Sequence, residues 1–207
     1  MKAKAKAKKT SFRREPAQQR AQVTVEAILD AAVKLLKHGG ASSITTNRIA
    51  ETAGVSIGSV YQYFPNKRAI FIALHERHIG QVDRVIQRKI VESAEASFEI
   101  LIASLVDGMI EVHTADPELS ELLQSEVPHR ANSTRDFSVR LHGAFRSALA
   151  PHARELGRRI DLDTRAFLVS NMVDALCHAA IFRRPAGSSL SRARAESIRA
   201  IVTCLRH

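Results

Sequence analysis

Between Gly39 and Asn66 the chain is interrupted so often that only short helices fit. Gly39-Gly40, Thr45, Gly54, Ser56 and Pro65-Asn66 all fall in that stretch. Glycine accepts the left-handed conformation that closes a helix, and Ser, Thr and Asn side chains accept hydrogen bonds from the first free amides of one. The pattern predicts a helix "TNRIAETA", capped by Thr45 and ended by Gly54, then "IGSVYQYF", capped by Ser56. Asn66 then caps a long helix running to about residue 90. Ahead of these, Ile28, Ala31, Ala32, Leu35 and Leu36 recur at spacings of three and four, the apolar face of a helix that stops at Gly39-Gly40.

Strand signals are nearly absent elsewhere, so the expected fold class is all-α. Further helices are expected near 94–114, 117–126, 131–156, 162–184 and 189–206. Pro117 stands at a first helical position, where its missing N–H costs nothing. Val127-Pro128 and Gly187-Ser188-Ser189 read as breaks.

Gly54-Val55-Ser56-Ile57-Gly58 fits G-x-S-x-G, the nucleophile elbow of serine hydrolases. An elbow needs a strand before the serine and a helix after it. The preceding segment is helical by pattern, and an all-helical chain has no sheet to carry the elbow. The stretch reads instead as helix-turn-helix: Ile49 and Ala53 point inward, Gly54 turns, Val55 fills the angle, and Val60 and Phe64 hold the next helix to the core.

The other face of "IGSVYQYF" shows Ile57, Gly58, Ser59, Tyr61, Gln62 and Tyr63. Gly58 and Ser59 are small enough to let backbone approach a groove. Gln62 suits paired hydrogen bonds to adenine and Ile57 suits a thymine methyl. The hydroxyls of Tyr61 and Tyr63 suit phosphate oxygens. The alternative is that the two tyrosines and Ile57 are packing residues. Lys67 and Arg68 sit in the first turn of the following helix, where the dipole disfavours cations; a nearby phosphate explains the placement.

Charge agrees with a polyanionic partner. Residues 1–20 hold eight Lys and Arg against Glu15 alone, a net +7 out of +10 for all 207 residues. Such blocks repel and bury no core. "KAKAKAKK" is either a solvated tail or a basic arm along phosphates. No leader peptide and no bilayer-spanning apolar run are expected, and Cys177 and Cys204 lack paired spacing, which suits a reducing cytoplasm.

"ITTNRIAETAGVSIGSVYQYFPNKRAIF" resembles the DNA-binding region of TetR-family transcriptional regulators, densely from about Val25 to Phe71. The resemblance implies a three-helix DNA-binding head joined to a larger helical body that binds a ligand and dimerises. Residues 1–19 would form a disordered arm, 20–66 the head and 67–207 the body. It places DNA contacts on Thr45, Thr46, Asn47 and Arg48, on Ser56, Ile57, Gly58, Ser59, Tyr61, Gln62 and Tyr63, and on Lys67 and Arg68. Leu36 stands where the family commonly has an aromatic, and Arg68 where it commonly has an acid.

The family typically dimerises through its last two long helices. "FLVSNMVDALCHAAIF" is apolar around most of its circumference and needs cover on two sides. The family also typically binds a small effector within the body. Asp107, His113, Asn171, Asp174 and His178, polar residues inside apolar stretches, are the candidate contacts. "HERH", His75 to His78, is one residue short of the H-E-x-x-H zinc motif, so no metal is expected. No cofactor and no enzyme motif are expected either.

These readings combine in a cytoplasmic homodimeric repressor, held on a near-palindromic double-stranded DNA operator until an effector releases it. The alternative is a basic protein binding DNA or membrane surfaces without sequence preference or effector control.

Overall fold

The punctuation read from the sequence sets the elements. The computed structural model describes residues 14–126, 132–156 and 161–206. Among the described residues there are nine α-helices and no strand. They are α1 (Arg14–Gly39), α2 (Thr46–Ala53), α3 (Ile57–Tyr63), α4 (Lys67–Glu92), α5 (Phe98–Ala115), α6 (Pro117–Glu126), α7 (Asn132–Leu149), α8 (Leu162–Phe182) and α9 (Leu190–Arg206). Two compact units emerge, one up to Ala73 and one from Leu74 on. Their division falls inside α4 rather than at residue 66, because Ile70 and Phe71 are buried with the core residues of the head. α1 starts at Arg14, so residues 14–19, expected in the basic arm, are helical. The rest of that arm lies outside the described residues.

In the head, Ile28, Ala32, Ile44, Ile49, Val60 and Ile70 are fully buried, and Leu36 is buried beside them. Gly54 closes α2 at φ 68°, and the Val55 amide donates back to the Ala50 carbonyl at 3.0 Å. That conformation would crowd the Cβ of any other residue, which is why the turn has glycine.

The body has its own core of Phe98, Leu101, Ile102, Leu105, Phe145, Leu149, Val169, Val173, Ile201 and Leu205, drawn from α5, α7, α8 and α9. α4 and α5 approach closely at Gly108, where an added Cβ would stand 3.0 Å from Lys89 Cγ and 3.2 Å from Val85 Cγ1. Two boundaries differ from expectation. α5 begins after Ser97, which accepts the Ile100 amide, because α4 ends only at Glu92 and a turn intervenes. α7 ends at Leu149, since Pro151 cannot donate to a continuing helix and the chain tightens into a 3-10 turn over Ala150–His152.

α8 corrects one reading. By length and composition, with mean hydropathy 1.2, it could cross a membrane, although its polar residues break up the apolar run. Its inner face nonetheless packs in the core through Ala166, Val169, Val173 and Cys177. The buried Arg165 donates to the Leu205 carbonyl and ties α8 to α9. The outer side leaves Phe167 57% exposed. Cys177 is buried and Cys204 exposed, both as free thiols.

Candidate functional site

Two local caps set the head's exposed surface. Thr45 Oγ1 accepts the Arg48 amide at 3.3 Å and starts α2. Ser56 Oγ accepts the Ser59 amide at 3.0 Å and lies 2.8 Å from Ser59 Oγ, starting α3. Ser56 is therefore a helix cap, with a helix rather than a strand before it. Each such cap is worth about 1 kcal/mol. Thr46 Oγ1 and the Tyr61 hydroxyl stand 3.4 Å apart, so the start of α2 and the middle of α3 share one surface.

At about 100° per residue, Val60 and Phe64 fall together on α3, and both are buried. The opposite side carries Gly58 and Gln62, Tyr61 stands on a flank, and Ile57 continues the Val60 stripe at the open first turn of the helix; all four are exposed, Ile57 by 39% and Tyr61 by 53%. Ser59 and Tyr63 fall on the flanks and are half-buried. A wholly buried Ile57 is thus ruled out, while Tyr63 is partly a packing residue. Asn47, Arg48 and Arg68 are exposed. Asn66 Oδ1 caps α4 by accepting the Ala69 amide at 3.0 Å. Lys67 is half-buried: its Nζ donates to the Ala41 carbonyl at 3.3 Å and lies 5.1 Å from the centre of the Phe71 ring. The lysine therefore braces the start of α4, with ammonium donors to spare for a phosphate.

In the body the five polar candidates separate. Asp107 on α5 is held by Arg194 of α9, whose Nη2 donates to Oδ2 at 2.7 Å, and so serves as an interhelix clamp. Asn171 is exposed and returns its amide to the Phe167 carbonyl of its own helix at 2.7 Å. His113 on α5 and Asp174 and His178 on α8 converge: the two rings are 4.3 Å apart, centre to centre, and His178 Nδ1 lies 3.3 Å from Asp174 Oδ1. His78 of α4, which the sequence offered only through the incomplete HERH pattern, lies 5.0 Å from the His113 ring.

Burial, then the neighbouring His178 and His78, pushes the His113 imidazole down to about 3, against a small opposing pull from Asp174. Burial, then His75 and His178, pushes His78 down to about 4, with Asp116 opposing. Both rings are neutral at pH 7, so each keeps a nitrogen lone pair. His113 Nδ1 faces Ser120 Oγ at 3.3 Å, while its Nε2 is buried without a hydrogen-bond partner. A buried nitrogen left unpaired costs about 1–3 kcal/mol. Cys177, next to His178, stays out of this cluster: its thiol donates to the Val106 carbonyl at 3.7 Å, and burial raises its pKa to about 12.

Sequence comparison matches both units. Residues 28–74 match the tetR family of bacterial regulatory proteins, and residues 97–205 match a tetracyclin repressor-like C-terminal domain. The fatty acid metabolism regulator protein of Bacillus subtilis (strain 168) is 31% identical over 100 residues, 48% of this chain and 50% of that protein. The HTH-type transcriptional regulator AcrR of Shigella flexneri is 31% identical over 125 residues, 58% of this chain and 55% of that one. The chain thus spans about half the length of the curated relatives it matches. The crystal structure of transcriptional regulator FadR from Bacillus subtilis in complex with stearoyl-CoA covers 86% of this chain and 97% of its own, with a TM-score of 0.66. At 20% identity that likeness speaks for the fold alone. With the C-terminal match alone spanning more than half its length, the chain belongs to the tetR family of bacterial regulatory proteins.

Proposed function

We propose that the protein is a cytoplasmic, sequence-specific transcriptional repressor. It binds a near-palindromic operator in double-stranded DNA as a homodimer and is released by a small molecule bound in the body. It works by binding and carries out no chemistry. The observation that carries this reading is the exposed surface of α3: Gly58, Tyr61 and Gln62, with Ile57 at the open first turn, are exposed beside the α2 start, on a helix whose inner residues Val60 and Phe64 are buried. A helix so mounted fits a major groove and offers an apolar contact, a carboxamide and a hydroxyl to base edges and phosphates.

Homodimerisation is supported by α8, whose outer side leaves Phe167 more than half exposed. The effector reading rests on family membership. The stearoyl-CoA held by the Bacillus subtilis structure makes long-chain acyl-CoA the first effector class to try.

The test is selection and sequencing of DNA bound by the purified protein. A site with two related half-sites about one helical turn apart, or a multiple of that, is expected. Equal, steeply salt-dependent affinity for every DNA, or attachment to anionic vesicles, would replace this reading with that of a non-specific basic protein.

A further inference from the structure

His113, Asp174 and His178 each bring one donor atom to a common point, all within 4.8 Å of one another. Asp174 and His178 lie one helical turn apart on α8, so they share a face. His113 reaches the same point from α5. It is 4% exposed, its Nε2 has no hydrogen-bond partner, and Ser120 Oγ stands at its other ring nitrogen. Buried polar atoms in native proteins are nearly always satisfied, so an orphaned imidazole nitrogen beside a second imidazole and a carboxylate asks for a missing partner.

We propose that these three side chains bind one divalent first-row transition cation of intermediate softness, with zinc the best fit. Two imidazoles and a carboxylate form a nitrogen–oxygen donor set without thiolate, which suits zinc, nickel or cobalt rather than copper(I). Cys177, the nearest thiol in sequence, is spent on the Val106 carbonyl. Calcium would demand six or more oxygens and magnesium a largely oxygen octahedron. Zinc takes three protein ligands and leaves a fourth position for water.

The separations suit this cation. With ligands about 2.1 Å from the metal, tetrahedral neighbours stand roughly 3.4 Å apart. Atoms within 4.8 Å of one another reach that spacing by side-chain rotation on helices already packed together. Ser120 orients the His113 ring, the supporting role that a hydrogen-bond partner plays behind a metal-bound histidine. Asp174 is exposed, which gives the ion a way in. The site goes beyond the repressor reading and requires neither operator nor effector.

The test uses the full chain, with any affinity tag removed and adventitious metal stripped by a chelator. Zinc is titrated in competition with a chromophoric chelator. X-ray absorption of the zinc-loaded, unmodified chain then counts the ligands. One ion per chain is expected at micromolar concentration or below, with two imidazoles and an oxygen shell. Asp174→Asn, at an exposed position, and His178→Gln, at a half-buried one, should each weaken binding at least about tenfold. Ser120→Ala should weaken it by about tenfold, the lower end for loss of such a partner. His142→Gln, on α7 and outside the cluster, should leave binding unchanged. The proposal is overturned if the unmodified chain binds no stoichiometric ion, or if its absorption spectrum shows thiolate or three or more imidazoles. It is also overturned if the Asp174→Asn/His178→Gln double variant retains the affinity.

Discussion

The head and the body hold their exposed and buried polar groups in place by different means. In the head, Thr45, Ser56 and Asn66 cap three successive helices by accepting the amides of Arg48, Ser59 and Ala69, each three residues ahead. The residues proposed to touch DNA all lie between Thr45 and Arg68; chain-local caps start the helices that carry them, and buried Ile49, Val60 and Phe64 mount those helices on the head's core. In the body, His78, His113 and His178 come from three helices, and only the packing of α4, α5 and α8 brings their rings together. A surface built from local caps survives changes in distant packing; a cluster built by packing does not.

The largest expected effects test that packing. Phe145 is almost wholly buried in the body core. Phe145→Ala should cost about 3–5 kcal/mol of stability, and Ile49→Ala in the head about 2–5 kcal/mol. Denaturant titration followed by circular dichroism measures both. If the contrast holds, Phe145→Ala also abolishes metal or effector binding in the body. A loss below about 1 kcal/mol for Phe145 would mean that the body core tolerates cavities, and the contrast would fail.

A second effect, of roughly 2 kcal/mol, concerns the outer side of α8. The sequence raised the expectation of cover on two sides without telling the inner residues from the outer ones. Val173 is buried inside the protomer, so arginine there would disrupt the fold rather than report on a partner. Phe167 is the exposed large side chain of the helix. The unmodified chain should sediment at twice its mass at micromolar concentration, and Phe167→Arg should shift it to monomer with helicity intact. That is the loss expected for one aromatic anchor in an interface. A dimer unaffected by Phe167→Arg would move the interface off this side of α8.

The third effect isolates the turn. Nothing lies within 4 Å of a Cβ added at Gly54, so Gly54→Ala carries backbone strain alone at φ 68°. The expected cost is about 1–2 kcal/mol. Gly58→Ala, with ordinary backbone and only Ser56 Oγ near at 3.7 Å, should be neutral or slightly stabilising to the fold. If it also weakens DNA binding, Gly58 is there for close approach to the groove. Thermal unfolding with and without DNA separates the two effects.

What was legible in the sequence follows the same division. Caps and glycine turns act over three or four residues, so Thr45, Gly54, Ser56 and Asn66 marked the head's helix ends, and the α3 pattern marked most of its outward face. Tyr63 was less clear, because two tyrosines two apart share no face and nothing local says which is half-buried. In the body, Pro151 ended α7 earlier than apolar spacing suggested. The convergence of His113 with Asp174 and His178 was invisible, because no short spacing links residues 61 positions apart. The same holds for Asp107, a polar residue on an apolar helix whose partner, Arg194, lies on α9.

The smallest expected effect bears most directly on how the head reads DNA. Ile57 opens α3 and is 39% exposed, so shortening its side chain leaves little cavity. Ile57→Ala should therefore change stability by less than about 0.5 kcal/mol. It should weaken the selected operator by about 1 kcal/mol and relax preference at one position per half-site, because an apolar contact with a thymine methyl carries sequence information. Lys67 supplies the contrast. A phosphate contact carries no sequence information, so Lys67→Ala should weaken all DNA alike and lower the salt slope by about 1 per head. Lys67 also braces Ala41 and Phe71, so its loss should cost stability, which Ile57→Ala should not. Binding isotherms across salt, on the operator and on a scrambled duplex, with unfolding curves for both variants, settle the division. Equal weakening of both duplexes by Ile57→Ala would make Ile57 a generic contact. A changed preferred site in Lys67→Ala would place base reading on α4 as well as α3.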